Sequence, residues 1–287
     1  MKLITSILAI TTAAVFAQGP LTPPGAPAPT MKTLDEIHAK VADAGEKRTP
    51  ISSLPVSIST SGSYYLTKNL SPDGSGNGIS ITCPNVTLDL NGFTLDGLGS
   101  AQPGITLSAT QNTTVRNGTI TGWTGGIVSA AGSGHILEKL NVRFNAGIGI
   151  SFQVSTLCQV RDCAVHFCGS HGIVVADNAV VTGNIVKINT GTGIRVEGVN
   201  AEIRDNTVHG NTSIGIHVLA SSSRSSVEAN SIKNNGTGLF VAGNDNSIRK
   251  NLITGNTSNA NIGGAGNDFG PFGTAAASTN PNANIVY

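Results

Sequence analysis

A glycine followed by isoleucine or leucine recurs at nearly constant spacing through most of this chain. Eight such pairs begin at Gly78, Gly104, Gly126, Gly149, Gly172, Gly193, Gly215 and Gly238. Successive glycines lie 21 to 26 residues apart. This period is typical of a solenoid, in which each unit buries its apolar face only by stacking on its neighbours. Although 287 residues would suffice for two ordinary domains, the repeat takes most of the chain as one unit.

Apolar residues follow each glycine in the alternating pattern of a strand with one face inward, as in Ile173 and Val175. A second inward column comprises Leu88, Val115, Leu137, Val160, Val181, Ile203, Val227 and Ile248. A third comprises Ile120, Val142, Val165, Val186, Val208, Ile232 and Ile253. Three short strands per coil predict an all-β fold, a single-stranded right-handed parallel β-helix of about eight coils. The 36 glycines and the 4% content of aromatic residues suit such short strands and tight turns.

Asparagines also recur in register, at the bends between strands. One column comprises Asn184, Asn206, Asn230 and Asn251, and another comprises Asn145, Asn189, Asn211, Asn235 and Asn256. In one coil Cys163 and Cys168 take both positions. Because asparagine tolerates the left-handed backbone region and its amide can bond to the coils above and below, we interpret these columns as structural.

The remaining segments predict export and capping. Residues 1–17 read as a signal peptide, with Lys2 before an apolar core and a cleavage site near Ala17. Residues 18–50 read as a Pro-rich linker and a short helix, for which Thr33 and Glu36 form a capping box. We assign residues 51–77 to N-terminal cap strands, 78–260 to the β-helix and 261–287 to a C-terminal cap or flexible tail. No other segment is apolar enough for membrane insertion, so we expect a secreted, periplasmic or cell-surface protein.

The four cysteines are predicted to be reduced, mostly buried thiols, although an exported protein would permit disulfides. Cys163 and Cys168 lie five residues apart on one extended segment, about 16 Å, which is too far for a disulfide. A zinc site is the alternative, but the sequence has no Cys-x-x-Cys or His-x-His spacing to support it. We therefore expect no metal site.

With 17 basic and 16 acidic residues, the overall charge predicts no polyanionic partner, so any such preference must come from local patterning. Nucleic acid is a poor candidate partner, because export, a neutral net charge and few aromatic residues all count against it. The sequence carries no prediction of an oligomeric state.

In the register Gly-Ile-x-Val … Asn-x-Val-x-x-Asn-x-x-x-Gly-Ile, residues 78–260 resemble secreted bacterial right-handed parallel β-helix proteins. This superfamily includes pectate lyases, polygalacturonases, alginate epimerases and lyases, and the periplasmic NosD-like proteins. The resemblance implies the fold. It does not imply one activity, because a single fold hosts many.

His171 and Arg195 partly resemble polygalacturonase motifs, but the two carboxylates that glycoside hydrolysis needs are missing, since Glu197 is the only acid nearby. A uronate lyase or epimerase instead needs a base and a cation that neutralises the substrate carboxylate. Arg195, His217, His171 and Glu197 are the candidate catalytic residues. The alternative is a surface ion pair between Arg195 and Glu197 beside a solvated His217. No cofactor is expected; calcium, which many pectate lyases use, would need an acidic cluster that the sequence lacks.

A basic stripe, with one residue in each of five consecutive coils, is the candidate polysaccharide-binding site. It comprises Arg143, His166, Lys187, His209 and Lys233. Strand alternation points these residues outward at a repeat of about 4.8 Å, comparable to the repeat of an extended polyuronate. The alternative is that the charges only protect an exposed sheet from aggregation.

A second outward column alternates in sign and is assigned to stability. It comprises Arg116, Glu138, Arg161, Thr182, Arg204, Glu228 and Arg249. Three functions remain open. The first hypothesis is an exported β-helix that binds an acidic polysaccharide along its side without catalysis. The alternatives are a uronate lyase or epimerase, and a structural or adhesive surface solenoid.

Overall fold

The structure, a computed structural model, describes residues 32–37, 45–73, 78–108, 110–274 and 278–287. The chain divides into two units, one up to Lys47 and one from Arg48 to Tyr287. In the first unit, residues 34–37 are helical. The Thr33 hydroxyl accepts from the Glu36 N–H at 3.1 Å, and the Glu36 carboxylate accepts from the Thr33 N–H at 2.8 Å. The predicted signal peptide and the helix beyond residue 37 lie outside the described residues.

The second unit is a parallel β-helix, as predicted, built from three sheets whose strands pair in register from coil to coil. The first sheet has ten strands: Val56–Ile58, Ile79–Ile81, Ile105–Leu107, Ile127–Ser129, Ile150–Phe152, Ile173–Val175, Ile194–Val196, Ile214–Val218, Thr237–Val241 and Ser258–Ile262. The helix therefore has about ten coils rather than eight. The predicted number of coils was too low because it counted glycines. The first inward residues of the two terminal coils, Val56 and Ala260, do not follow a glycine.

The second sheet holds the other two strands of each coil. Its nineteen strands are Thr49–Ile51, Gly62–Leu66, Val86–Asp89, Thr94–Asp96, Thr114–Thr121, Ile136–Arg143, Gln159–Arg161, Ala164–His166, Val180–Thr182, Ile185–Lys187, Glu202–Arg204, Thr207–His209, Ser226–Glu228, Ser231–Lys233, Ser247–Arg249, Leu252–Thr254, Asp268–Phe269, Phe272–Gly273 and Asn284–Val286. A third, small sheet comprises Thr110–Gln111, Gly132–Ser133 and Ser155–Thr156. Thr114–Thr121 and Ile136–Arg143 run unbroken through both positions, whereas later coils bend at a cysteine or an asparagine and form two short strands.

The interior is filled by the predicted apolar columns. Leu88, Val115 and Leu137, and their equivalents up to Ile248, have no exposed surface. The columns that contain Ile173 and Val186 are likewise buried. Each buried side chain stacks on its counterpart one coil away. Burial of the apolar columns is thus the main force that holds the coils together.

The repeated glycines stand where two coils approach too closely for a side chain. A Cβ atom at Gly193 would lie 2.7 Å from both the Gly215 carbonyl oxygen and the Asn211 side-chain nitrogen. A Cβ atom at Gly172 would likewise lie 2.7 Å from the Gly193 carbonyl oxygen. The period that defines the sequence therefore reflects a close contact at one corner of every such coil.

Buried asparagine amides satisfy the backbone groups that strand pairing leaves free at the bends. Asn184 donates its side-chain N–H to Asn206 at 3.0 Å, and Asn206 donates to Asn230 at the same distance. Asn189 donates to Asn211 at 2.9 Å in the other column. Each of these acceptor oxygens also receives the backbone N–H of the asparagine one coil earlier.

All four cysteines are free and buried, as predicted. Burial raises the pKa of Cys158 to about 11, of Cys163 to about 12 and of Cys168 to about 11. No helix in the described part of the chain is long and apolar enough to cross a bilayer.

Candidate functional site

The first sheet places the predicted catalytic residues side by side. Strand pairing aligns Val174 with Arg195, Arg195 with His217, and His217 with Phe240. Each of these residues stands at an outward position between two inward residues of its strand. His171 lies before the strand next to that of Arg195, and Glu197 directly follows the Arg195 strand. The structure therefore brings all four predicted residues together.

Hydrogen bonding assigns different roles to the two histidines. His171 Nδ1 accepts from the Thr192 backbone N–H at 3.0 Å. A neutral imidazole carries its proton on the other nitrogen, so His171 Nε2 bears hydrogen and faces an Arg195 guanidinium nitrogen at 3.4 Å. Two donors then face each other, and His171 has no free lone pair. His217 is partly buried and stacks on Phe240 with ring centroids 4.8 Å apart. No described residue forms a hydrogen bond with its ring nitrogens, so His217 is the imidazole that remains available as a base.

Arg195 already has a counter-charge. Its Nε atom lies 2.7 Å from Glu197 Oε1, although the N–H is not aligned for a hydrogen bond. Gln153, two coils away, donates to both oxygens of Glu197 at 3.3 and 3.4 Å. The guanidinium and the carboxylate therefore neutralise each other on the sheet face.

Both histidines are held neutral by their surroundings. Burial lowers the pKa of His171, Arg195 lowers it further, and Glu197 opposes the shift. Burial also lowers the pKa of His217, as do Arg195 and His171, again against Glu197. At neutral pH a proton acceptor is thus present at His217.

Side chains crowd the outward face around Arg195, where Val174 has no exposed surface and Ser151 is 5% exposed. Four cavities of about 300 to 470 Å³ lie along the described part of the chain. None of these four is lined by His171, Arg195, Glu197 or His217. Enzyme sites usually enclose most of a ligand in a concave pocket, and these four cavities do not supply one at Arg195.

The basic stripe forms one continuous column on the second sheet. Strand pairing aligns Arg143 with His166 and His166 with Lys187. It then aligns Lys187 with His209, and His209 with Lys233. All five side chains are partly exposed. The register that the sequence predicted for these five residues is present.

Charges in the stripe have few counter-charges. Lys187 and Lys233 form no ion pair with any residue that the structure describes. Arg143 Nε is buried without a hydrogen-bond partner among these residues, and its guanidinium lies 5.8 Å from the Phe144 ring centre. His166 Nε2 contacts the Asn141 side-chain oxygen at 2.9 Å. Burial lowers the pKa of His166, as do Lys187 and Arg143, so the fixed charges are those of the arginine and the lysines.

The alternating column differs from the stripe because ion pairs occupy it. Its pairs are Arg116 with Asp89, Arg161 with Glu138, Arg204 with Glu202, Arg249 with Asp268, and Lys250 with Glu228. Several of these partners lie outside the column itself, so the pairing is a network rather than a simple ladder. Its charges are satisfied within the protein.

Sequence reasoning missed five residues beside these sites. Phe240 and Gln153 contact His217 and Glu197, as described above. Phe144, Phe167 and Ile188 each follow a residue of the stripe and are exposed. The apolar columns of the sequence contain only inward residues, and these five residues face outward. Phe240 is identifiable from the sequence, because the repeat aligns it with His217 one coil earlier.

Comparison with known proteins gives a family. A profile described as periplasmic copper-binding protein (NosD) matches residues 84–282, well over half of the chain. The chain belongs to the NosD family. This membership confirms the resemblance found in the sequence. No curated protein sequence matches the chain.

Solved structures share the fold of this NosD-family protein. The Dettilon tailspike protein is 14% identical with a TM-score of 0.57, covering 88% of this chain and 64% of the tailspike. The A-module of mannuronan C-5 epimerase AlgE4 from Azotobacter vinelandii is 12% identical with a TM-score of 0.56, covering 87% and 93%. The periplasmic alginate epimerase AlgG is 15% identical with a TM-score of 0.51, covering 79% and 69%. The chain thus spans about two thirds of the tailspike, and the likeness establishes the fold alone.

The family description names copper binding, but the residues that the structure describes in this NosD-family protein do not form a copper site. Copper prefers thiolate, thioether and imidazole ligands. The raised pKa values of Cys158, Cys163 and Cys168 oppose thiolate formation. Their S–H groups donate to backbone carbonyls within the helix interior. No three His, Cys, Asp or Glu side chains among the described residues are grouped to hold a metal ion.

Proposed function

We propose that this NosD-family protein binds an acidic polysaccharide along the basic stripe. The observation that carries the proposal is the contrast between two neighbouring columns. Cations of the alternating column have carboxylates within the protein, whereas Lys187 and Lys233 have none among the described residues. Arg143, Lys187 and Lys233 stand in alternate coils of one column, so their like charges repel one another only weakly through water. An external polyanion would supply the missing counter-charge.

The spacing of the coils favours a repeating ligand. Adjacent members of the stripe lie on paired strands, about 4.8 Å apart. A polyuronate carries one carboxylate per sugar at a comparable repeat. Because Arg143, Lys187 and Lys233 stand in alternate coils, every second carboxylate can pair with one of them, and several weak ion pairs form together. Each pair contributes little in water, and the sum depends strongly on salt. The structural likeness to alginate epimerases supports this ligand class, because those proteins act on an acidic polysaccharide with the same fold.

Charge removal tests the proposal. In Lys187→Gln/Lys233→Gln, affinity for alginate or pectate oligosaccharides at low salt falls roughly tenfold, about 1.4 kcal/mol. The matched control is Lys68→Gln/Lys139→Gln, which removes two exposed charges from a different corner of the coils. Calorimetry or retention on alginate and pectate gels measures the effect. Unchanged binding in the first variant, or equal losses in both, would refute the proposal.

A second candidate function is epimerisation or lysis of a uronate at the His171, Arg195, Glu197 and His217 cluster. The availability of His217 as a neutral base favours it. His217 would take the proton alpha to the uronate carboxylate, and Arg195 would neutralise that carboxylate after exchanging it for Glu197. In a lyase the bond from C4 to the glycosidic oxygen then breaks, a C4–C5 double bond forms, and the leaving oxygen takes a proton from water. In an epimerase water returns a proton to the opposite face of C5, and in both reactions His217 releases its proton to solvent.

Two assays separate these outcomes. A lyase generates ultraviolet absorbance from unsaturated uronates, and this absorbance disappears in His217→Ala and Arg195→Ala. An epimerase leaves the absorbance flat but changes the uronate composition seen by NMR. Flat absorbance together with unchanged NMR spectra on alginate and pectate removes both reactions. Binding along the stripe is unaffected by that result.

Export completes the proposal. The NosD family is described as periplasmic, which agrees with a signal peptide cleaved near Ala17. N-terminal sequencing of protein recovered from the periplasm or the medium would then begin at Gln18. A product that retains Met1 in the cytoplasm contradicts export.

A further inference from the structure

Three large apolar side chains form a ridge beside the basic stripe. Phe144, Phe167 and Ile188 directly follow Arg143, His166 and Lys187 in consecutive coils. Their exposed fractions are 55%, 41% and 43%. We call these three residues the apolar ridge. Exposure of this kind in adjacent coils, rather than at scattered positions, marks a contact surface.

The backbone at the ridge disfavours the residues that stand there. Phe144, Phe167 and Ile188 have φ angles of 51°, 55° and 54°, in the left-handed region. Bulky and β-branched residues are rarely found in this region, which suits glycine and asparagine. In other coils this corner position is held by residues of those two types. They are Gly122, Gly210, Asn234 and Gly255. Large side chains also hold a positive φ at other bends, such as Leu98, Lys139 and Leu157, so what distinguishes the ridge is its position beside the stripe in three consecutive coils.

The ridge packs against side chains of the stripe. The Phe144 and Phe167 rings stack with centroids 5.0 Å apart and planes 6° from parallel. His166 meets both rings edge-on, at 6.3 and 5.3 Å. The two phenylalanines also line a groove of about 420 Å³ together with Ala146 and Gly169, within the volume range of about 300–1,000 Å³ that small ligands occupy.

We infer that the apolar ridge binds the sugar rings of the acidic polysaccharide whose carboxylates meet Arg143 and Lys187. This inference rests on the proposed function and adds the second half of the site. A pyranose ring presents a face of C–H groups, and the negative face of an aromatic ring attracts such hydrogens. A uronate carries its carboxylate at the edge of the ring. The pairing of one apolar residue with one stripe residue in each of three coils matches these two parts.

Charge selects this occupant over an apolar protein surface. Arg143 and Lys187 border the ridge two coils apart, with the neutral His166 between them, so a partner must offer an anion at every second repeat of its apolar faces. A polyuronate carries a carboxylate on every sugar and so meets this spacing. An apolar peptide bound to the ridge would provide no counter-charge for Arg143 and Lys187 at the edge of the contact.

The test uses a substitution that suits the backbone. In Phe144→Asn/Phe167→Asn the new residues favour a positive φ, so the fold is retained and the melting temperature is unchanged or higher. Affinity for alginate or pectate oligosaccharides falls roughly tenfold, and the dependence of affinity on salt stays as in the wild type. Leu157→Asn is the matched control. Leu157 is an exposed apolar residue with a φ of 58° that adjoins neither the stripe nor the groove.

Lys187→Gln/Lys233→Gln, measured in parallel, separates the two ideas because it weakens the salt dependence itself. Wild-type affinity in the ridge variant alongside a loss in the lysine variant overturns the ridge and leaves the proposed function. No loss in either variant overturns both. A ridge variant that changes the sedimentation mass of the protein but not its glycan affinity also overturns the inference, because the ridge is then a protein contact.

Discussion

The side-chain amide of Asn206 donates a hydrogen bond of 3.0 Å to the side-chain oxygen of Asn230 in the next coil. The Asn206 backbone N–H donates to the same oxygen, also at 3.0 Å. The second amide hydrogen of Asn206 reaches the Val181 carbonyl at 2.9 Å. Both asparagines are 1% exposed. The bend is closed to bulk solvent, so these side-chain amides are the hydrogen-bond partners of its backbone groups.

Replacing Asn206 with leucine should therefore be costly despite the similar volume. Asn206→Leu leaves the Asn184 N–H and the Val181 carbonyl buried without partners, at about 1–3 kcal/mol each. We expect the free energy of unfolding to fall by about 3 kcal/mol, measured by urea denaturation. The exposed Asn261→Leu is the control and should change little. A loss below about 1 kcal/mol in Asn206→Leu would contradict this account.

A methyl group at a repeated glycine should strain the corner of the coil. In Gly193→Ala the new Cβ would sit 2.7 Å from the Gly215 carbonyl oxygen, which belongs to rigid backbone. We expect a loss of about 1–3 kcal/mol in stability, seen as a lower melting temperature. Gly273→Ala is the matched control, because nothing lies within 4 Å of its Cβ position. Equal melting temperatures for the two variants would show that the corner relaxes freely.

His135 should make the fold sensitive to mild acid. The side chain is fully buried and stacks on Phe152, and burial lowers its pKa from 6.5 to about 4. The unfolded chain then binds this proton more tightly than the folded one. The stabilising effect is complete above pH 6.5 and is lost as the pH falls towards 4, by about 3 kcal/mol in total.

The comparison variant for this pH effect is His135→Gln, which cannot titrate in this range. Urea denaturation between pH 7 and pH 4 should show a steeper loss of stability for the wild type than for the variant. Carboxylates contribute equally to both proteins, so the difference reports on His135. Parallel curves for the two proteins would mean that the folded state protonates His135 without cost.

The buried thiols should be inert while the chain is folded. Thiolates are the reactive form, and the pKa values near 11 and 12 of Cys158, Cys163 and Cys168 leave almost none at pH 8. A disulfide reagent with a coloured product should therefore label these cysteines only as fast as the protein unfolds. Four thiols should react at once in denaturant. Rapid labelling of the native protein, or fewer than four thiols in denaturant, would contradict the buried, reduced assignment.

The repeat made the core predictable, because alternation along each strand and a fixed period together determine which residues face inward. Ile173, Val186 and Val160 needed no further information. The two terminal coils were missed because the period was read from glycines, and the strands Val56–Ile58 and Ser258–Ile262 fit the sheet without one. Pairing, rather than the corner glycine, is what defines a coil.

At the candidate site, register alone predicted that His171, Arg195 and His217 are neighbours. It could not predict the contact between Gln153 and Glu197, which spans two coils. Ala176 stands between them in the column, and its short side chain lets Gln153 reach across. Nor could the register predict that the Thr192 N–H donates a hydrogen bond to His171 Nδ1, since that bond depends on the bend between two strands. Contacts across more than one coil and at bends require coordinates.

The last coil is finished by a strand that returns to it from the C-terminal segment. Asn284 accepts from the Asn251 N–H at 3.1 Å and donates to the Ile248 carbonyl at the same distance, as a further coil would do. A stack of identical coils has no intrinsic length, and a terminal coil with unpaired backbone groups can pair with a strand of another molecule. The strand Asn284–Val286 covers the edge of Leu252–Thr254, and we expect its removal to leave that edge unpaired and open to association with another molecule.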